Sequence, residues 1–193
     1  MAEQLDGLTD QLTRFIEAQQ IFFVATAATQ GRVNISPKGM DSLRVLSPNR
    51  VIWLNVTGSG NETAAHLLEM PRMTIMFAGF EAKPLILRLY GQARAIHHTD
   101  PEWEALSAKL PALPGARQIF DLDIDMVQTS CGYAVPFYDF VGERDTLKGW
   151  AEKRGDDGIA DYWRDKNQTS IDGLPTQIVE ANGLSDKSQK QKN

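Results

Sequence analysis

The feature that most constrains the fold of this chain is its succession of short β-forming segments joined by tight turns. Residues 21–27 are almost all apolar, and a turn at 29–32 leads directly into residues 33–36, which alternate apolar and polar side chains. Strands joined so closely pair antiparallel, since a parallel pair needs a crossover of about a dozen residues. The pattern argues against a parallel nucleotide-binding sheet and predicts a mainly β protein with flanking helices, in the α+β class.

Four further segments complete the predicted sheet of antiparallel strands. They are residues 51–56, 73–77, 85–96 and 119–127. We expect Pro37 to end the pairing of the second strand because proline has no backbone N–H, and Gly91 to introduce a bulge into the long fifth strand. A small sheet protects its edges most simply by closing, so the sequence predicts a small antiparallel barrel.

Helical patterns flank these strands. The predicted helices are an amphipathic opening helix over residues 5–16, a helix that starts at about Asn61 as N-cap and stops at Pro71, a helix that starts at 100–101, and one over 148–166 interrupted at 156–158. No linker separates domains. We therefore expect a single domain over residues 1–184 with a C-terminal helical extension at about 144–175, and a disordered tail at 185–193.

Composition excludes several classes of function. A net charge of -5 without a basic block makes nucleic acid an unlikely partner, and no apolar run approaches the roughly 20 residues that span a bilayer. Cys131 is the single cysteine, which favours a reducing compartment and a cytoplasmic location. We expect no metal site, because His66, His97 and His98 lack the companions that one needs.

The loop over residues 57–63 is the most informative segment for function. Gly58 and Gly60 let the backbone approach a ligand, hydroxyl groups flank them, and a helix begins at once, so free backbone N–H groups form a phosphate site. The alternative is an ordinary strand-to-helix turn with a Ser or Asn cap. From the residues alone both interpretations stay open.

Two cationic side chains could serve the same ligand. Lys38 follows the second strand and is either a phosphate-binding cation or a solvated turn residue. Arg88 lies between two leucines and should face the opposite side of its strand, toward solvent, a dimer partner or a ligand anion. No side chain stands out as a catalytic acid, base or nucleophile. Tyr133, Phe137 and Trp150 are candidate pocket walls or ordinary core aromatics.

Three segments of this sequence resemble the pyridoxamine 5'-phosphate oxidase-like FMN-binding proteins. Residues 22–39 resemble their first hairpin, residues 58–77 their strand, phosphate loop, helix and strand unit, and residues 87–94 their next strand. The resemblance covers about the first 130 residues. Residues 130–136, 142–145 and 170–175 resemble one subgroup of that family other than the oxidase proper.

The resemblance implies a six-stranded split β-barrel and a homodimer with FMN bound at the interface by both subunits. It places the turn residues Ser36, Pro37, Lys38 and Gly39 beside the flavin. It assigns ribityl and phosphate contacts to Asn55, Thr57, Gly58, Ser59, Gly60, Asn61 and Thr63. Arg88 would come from the partner subunit.

Two departures from the family pattern bear on function. Many relatives carry Arg or Lys where this chain has Glu62 and Thr63, and the Arg-x-His substrate clamp of the oxidase proper is absent from the sequence, so pyridoxine phosphate oxidation is not expected. We predict an FMN-dependent oxidoreductase acting on an unidentified small molecule. The alternatives are a non-catalytic flavin-binding or sensing protein, a flavin-free dimeric scaffold favoured by Glu62, and a split barrel that binds deazaflavin or reduces haem.

Overall fold

The computed structural model describes residues 2–184 of the 193-residue chain; the predicted tail at 185–193 lies outside the described residues. Helices and strands follow one another in this order: β1 (Glu3–Leu5), α1 (Asp10–Glu17), β2 (Phe22–Thr26), β3 (Asn34–Lys38), β4 (Leu43–Ser47), β5 (Arg50–Val56), α2 (Glu62–Glu69), β6 (Arg72–Ala78), β7 (Ile86–Ile96), α3 (Trp103–Ser107), β8 (Ala116–Ser130), α4 (Thr146–Lys166) and α5 (Ile178–Ala181). The fold is mainly antiparallel β with flanking helices, as predicted.

The strands form a single sheet in the order β3-β2-β6-β7-β8-β5-β4, and β1 pairs with the end of β8. Every pair of strands is antiparallel. Eight strands pair in place of the six expected, and their order does not close into a ring. The two unpredicted strands are β1, which has only three residues, and β4, four of whose five residues are half-buried.

Pro37 does not end the pairing of its strand, contrary to the prediction. It lies within β3, opposite Phe23, and Lys38 is paired opposite Phe22. Among the described strands β3 has only β2 as a neighbour, so a residue without an N–H is tolerated on the open side of this edge strand. The consequence is that Lys38 is fixed by the sheet instead of by a turn.

The predicted irregularity at Gly91 is confirmed. The register between β7 and β8 shifts between Tyr90 and Gly91. A Cβ atom at Gly91 would lie 1.9 Å from the backbone oxygen of Asp123, so only glycine allows this close approach of the two strands.

An aromatic and aliphatic core fills the inside of the sheet. The rings of Trp53 and Phe120 stack with their centroids 4.7 Å apart, and Phe22 contacts Trp53 edge-on at 6.2 Å. Each fully buried side chain of this size contributes roughly 1.5–3 kcal/mol by leaving water. Because Trp53 belongs to β5, this packing fixes the strand that leads into the phosphate-type loop.

The first helix begins later than expected. Thr9 is its N-cap and accepts a hydrogen bond from the backbone N–H of Leu12, while the preceding residues form β1. The helix after β5 is confirmed as α2, and the third helix begins at Trp103.

The long C-terminal helix α4 is broken at Gly155, whose φ of 64° is left-handed, one residue before the predicted interruption. Beyond the break, Ile159 and Trp163 pack with Ile178 and Val179 of the unpredicted helix α5. This cluster brings the C-terminal part of the chain onto the loop after β5, because Trp163 Nε1 donates to Thr57 Oγ1 at 2.9 Å. Within the described part of the chain, no helix combines the length and hydropathy needed to cross a membrane.

Candidate functional site

A polar cavity of about 470 Å³ lies where β3 and β5 end and α2 begins. It brings together eight of the predicted site residues: Ser36, Lys38, Asn55, Gly58, Ser59, Gly60, Asn61 and Thr63. The loop after β5 and the end of the edge strand therefore form one concave surface, although 20 or so residues separate them in the sequence. We call this cavity the polar pocket.

A larger cavity of about 950 Å³ adjoins the polar pocket and shares Lys38, Gly58 and Ser59 with it. The predicted residues Pro37, Gly39 and Thr57 line this second cavity. Its walls are aromatic: Phe80, Tyr138, Phe140, Trp150 and Tyr162. A volume of this size is within the range of pockets that enclose ring-containing ligands.

Three predicted residues lie away from both cavities in a single chain. Arg88, on β7, donates from Nη1 to Ser130 Oγ at 3.2 Å and lines neither cavity. Tyr133 and Phe137 are 83% and 79% exposed and line neither cavity. Of the candidate aromatic walls, only Trp150 faces the larger cavity.

Arg117 is the most important site residue that sequence reasoning missed. It lies on β8 at the floor of the polar pocket, it is 3% exposed, and its Nη1 donates to Asn167 Oδ1 at 2.7 Å. Its Nε is buried without a hydrogen-bond partner, and no carboxylate of residues 2–184 forms an ion pair with it. Burial lowers the pKa of Arg117 to about 9. A cation held in this way is poised for an anion that the chain itself does not supply.

Lys38 is the second cation of the polar pocket. Burial, and then the nearby charge of Arg117, lower the pKa of Lys38 to about 8. Its Nζ lies 5.2 Å from the centroid of the Trp53 ring, which holds the side chain over the end of β5. Like charges repel when they are brought together, so an anion bound between Lys38 and Arg117 relieves an unfavourable interaction of the empty site.

Several buried amides of this region lack partners. Neither Nδ2 nor Oδ1 of Asn61 has a hydrogen bond, although the side chain is 3% exposed, and Gln118 Nε2 is also unpaired. Asn61 occupies the N-cap position of α2 but does not cap the helix with its side chain. A buried polar group without a partner disfavours the folded state by about 1–3 kcal/mol, so these amides indicate a site prepared for a polar ligand.

Glu62 has a structural role that the sequence did not reveal. Its two carboxylate oxygens accept hydrogen bonds from the backbone N–H of Ile171 at 3.1 and 3.0 Å. The neighbouring Asp172 accepts from the backbone N–H of Arg32 at 2.7 Å and pairs with its guanidinium group. The acidic residue of the loop thus fastens the C-terminal segment against the rim of the polar pocket.

The groups that line the polar pocket are those that bind a phosphate monoester. Lys38 and Arg117, the first residues of α2, and the hydroxyl-bearing Ser59 and Thr63 line one space. The other charged side chains of the lining are engaged within the chain, since Arg32 pairs with Asp172 and Glu62 accepts from the backbone N–H of Ile171. Gly58 leaves that space open, because a Cβ atom there would meet no protein atom within 4 Å. The polar pocket suits the phosphate end of a ligand, and the adjoining aromatic cavity suits a ring system.

Comparisons with known proteins identify the family to which this chain belongs. A sequence model of the family described as pyridoxamine 5'-phosphate oxidase matches residues 8–131. The pyridoxamine 5'-phosphate oxidase family protein ustO of Aspergillus flavus is 37% identical over 190 residues, which cover 88% of this chain and 76% of that protein.

Two solved structures share the fold. One, from Lactobacillus delbrueckii, is described as a candidate pyridoxamine 5'-phosphate oxidase; it has a TM-score of 0.52 at 20% identity and covers 64% of this chain and 94% of that one. The other is a variant of HupZ from Group A Streptococcus, with a TM-score of 0.51 at 18% identity, covering 63% of this chain and 98% of that one. Together with the match over residues 8–131, the identity to the Aspergillus protein shows that this chain belongs to the pyridoxamine 5'-phosphate oxidase family.

Proposed function

We propose that this protein binds FMN and acts as an FMN-dependent oxidoreductase on a small molecule. The observation that carries the proposal is the pair of cations Lys38 and Arg117, which share a partly enclosed pocket with the unpaired amide of Asn61 and have no carboxylate partner among residues 2–184. A phosphate dianion balances these two charges. Family membership supports a flavin as the group attached to it.

Each part of the site has a separate task in this proposal. Lys38, Arg117 and the start of α2 hold the phosphate, while Asn55 and Ser36 offer polar groups to the ribityl chain. Bound FMN supplies the redox chemistry. The aromatic residues of the larger cavity exclude water and orient the second reactant, and Lys38 keeps a positive charge at the junction of the two cavities.

A homodimer of split-barrel subunits with FMN at the interface is part of the same proposal. Its support within one chain is the edge strand β3, because Ile35 in this strand and Val33 just before it are each 67% exposed. A second subunit would cover these side chains and bring its own Arg88 toward the site. The dimer is tested by sedimentation at several protein concentrations, with a mass of twice 21.5 kDa expected.

We favour the flavin-binding protein over the flavin-free scaffold that Glu62 suggested. The Glu62 carboxylate accepts hydrogen bonds from the backbone N–H of Ile171, and the pocket that it lines also holds Lys38 and Arg117 as cations without a carboxylate partner among residues 2–184. A non-catalytic flavin-binding protein differs from the proposed enzyme only in turnover. Bleaching of the bound flavin by a reduced nicotinamide nucleotide, followed by reoxidation with an added acceptor, separates the two.

The first experiment is a visible spectrum of the purified protein followed by titration with FMN. We expect saturation at one FMN per subunit. Gly58 lines both cavities, and a Cβ atom there would meet no protein atom within 4 Å, so Gly58→Asp adds a negative charge at the pocket and FMN affinity should fall at least about tenfold. Gly149→Asp, at an exposed glycine with equally open surroundings, is the matched control and should bind as the parent does. Absence of binding at micromolar FMN would overturn the proposal.

A further inference from the structure

The side chain of Asn167 connects the buried cation to the phosphate-type loop. Asn167 is fully buried at the C-terminal end of α4. Its Oδ1 accepts a hydrogen bond from Arg117 Nη1 at 2.7 Å, and its Nδ2 donates to the backbone oxygens of Gly58 at 3.1 Å and Ser59 at 3.4 Å. One amide therefore contacts two parts of the polar pocket: Arg117, which is 50 residues away in the sequence, and Gly58, which is 109 residues away.

The neutrality of this amide matters for the charge of the pocket. A buried guanidinium group needs a hydrogen-bond acceptor to fix its orientation, and proteins usually provide a carboxylate. A carboxylate would form an ion pair with Arg117 and cancel the charge that an anionic ligand needs. The amide oxygen of Asn167 orients the same group and leaves its full positive charge available.

The backbone around Asn167 is held in place by contacts that do not involve the pocket's charges. Thr176 Oγ1 donates to the carbonyl oxygen of Asn167 at 2.6 Å, and the N–H of Asn167 donates to the carbonyl oxygen of Trp163 at 3.1 Å. The bonds of Glu62 to Ile171 fasten the residues that follow. The position of Asn167 is therefore fixed, and its Oδ1 orients the guanidinium group of Arg117.

We propose that Asn167 is a positioning residue that turns Arg117 toward a phosphate monoester, and that this neutral contact sets the preference of the site for FMN over riboflavin. The proposal rests on the FMN-binding function proposed above. It assigns to the C-terminal extension, beyond the residues 8–131 that the family model matches, a part of the phosphate site.

The test compares the affinities of the parent and its variants for FMN and for riboflavin, which lacks the phosphate. Asn167→Asp keeps the size of the side chain, places a negative charge beside Arg117 and gives up the hydrogen bonds to the carbonyl oxygens of Gly58 and Ser59. We expect FMN to bind roughly 10- to 100-fold more weakly, whereas riboflavin binding changes less than about twofold. Asn182→Asp makes the same chemical change at a half-buried helix end outside the pocket and should leave both affinities unchanged.

A second variant keeps the proposal falsifiable if Asn167→Asp fails to fold. Asn167→Ala removes the orienting contact without adding charge, and its FMN preference should fall less than that of the aspartate variant. In the background of Arg117→Met, Asn167→Ala should cause a smaller further loss of preference than in the parent, because the contact to Arg117 is already absent and only the hydrogen bonds to Gly58 and Ser59 remain to be lost.

The outcomes separate the inference from the function on which it rests. A parent protein that binds FMN no better than riboflavin would overturn the phosphate site itself. A parent with a strong FMN preference that Asn167→Asp retains would overturn the inference alone. An equal loss of FMN and riboflavin binding in Asn167→Asp would also overturn it, since a merely structural role predicts that result.

Discussion

Replacement of Arg117 by methionine is expected to stabilise the ligand-free protein and to weaken its binding of FMN. The guanidinium group is buried, its Nε has no hydrogen-bond partner, and no carboxylate of residues 2–184 forms an ion pair with it. Methionine fills a similar volume without a charge. Exchange of buried ionic groups for apolar ones of similar size stabilises proteins by roughly 1–4 kcal/mol when no favourable pairing is lost.

The size of the effect follows from the surroundings of Arg117. Burial lowers the pKa of Arg117 to about 9, so the folded state disfavours the charged form, and removal of the charge gives the gain of roughly 1–4 kcal/mol. The variant also gives up the hydrogen bond to Asn167, which offsets about 1–3 kcal/mol of that gain. We expect a net stabilisation of up to about 1 kcal/mol, and a rise in Tm of up to about 4 °C for a chain of this length.

The same substitution should reduce FMN affinity by about 10- to 150-fold. This range corresponds to the loss of one charge-assisted hydrogen bond to phosphate, about 1.5–3 kcal/mol. Thermal denaturation of the ligand-free protein and a fluorescence titration with FMN measure the two effects. Arg117→Lys, which keeps the charge but loses the planar fork, should fall between parent and methionine variant in affinity. A lower Tm for Arg117→Met together with unchanged FMN binding would refute the reasoning, because it would make Arg117 a structural residue.

Three other predictions follow from contacts described above. The pKa of Lys38 near 8 predicts that FMN affinity declines as the pH rises above about 8, since the free site then loses a charge that the anion favours. Affinities measured from pH 6.5 to 9.5 should decline less in Lys38→Met, where only Arg117, with a pKa of about 9, still loses charge. The lowered pKa of Lys38 means that the folded chain binds this proton more weakly than the unfolded chain, so deprotonation of Lys38 should raise the free energy of unfolding from pH 8 toward 10. Gly91→Ala should destabilise the fold by about 3 kcal/mol or more in chemical denaturation, because its Cβ would overlap a backbone oxygen of β8, whereas Gly149→Ala on exposed helix should be neutral or stabilising. Trp163→Phe should reduce stability by about 1–3 kcal/mol, since it leaves Thr57 without its indole donor; an unchanged unfolding midpoint would argue that this contact does not hold the C-terminal helices on the loop.

Much of the sheet could be predicted because its signals are local. The hairpin of β2 and β3 and the unit of β5, loop, α2 and β6 show alternating or continuous apolar runs with turn residues between them. Strand β1 could not be found in this way. It has three residues, and it exists because Glu3 pairs opposite Thr129, near the end of β8. The prediction that Pro37 ends its strand was wrong because edge strands tolerate proline, and the sequence does not say which strand lies at the edge of the sheet.

The residues of the candidate site differ in the same way: some have a local signal in the sequence and others do not. Lys38 and the loop over residues 57–63 were identifiable because glycines, hydroxyl groups and a following helix stand together in the sequence. Arg117 was missed because it precedes the apolar run that starts at Ile119, where a charged residue ordinarily ends a strand. Only the pairing of β8 with its neighbours buries that side chain. No local signal in the sequence links Asn167 to the site, since the partners of its side chain lie 50 or more residues away.

The bonds between the C-terminal segment and the first hairpin bear on how the protein forms during synthesis. Asp172 contacts Arg32 across 140 residues of sequence, and Asn167 reaches Arg117 across 50. Contacts of such long range form late, because the entropy of closing the intervening chain must be overcome first. All eight strands are synthesised before Asn167, since β8 ends at Ser130. The sheet can therefore form while the pocket still lacks Asn167, and cofactor capture waits for the final helices.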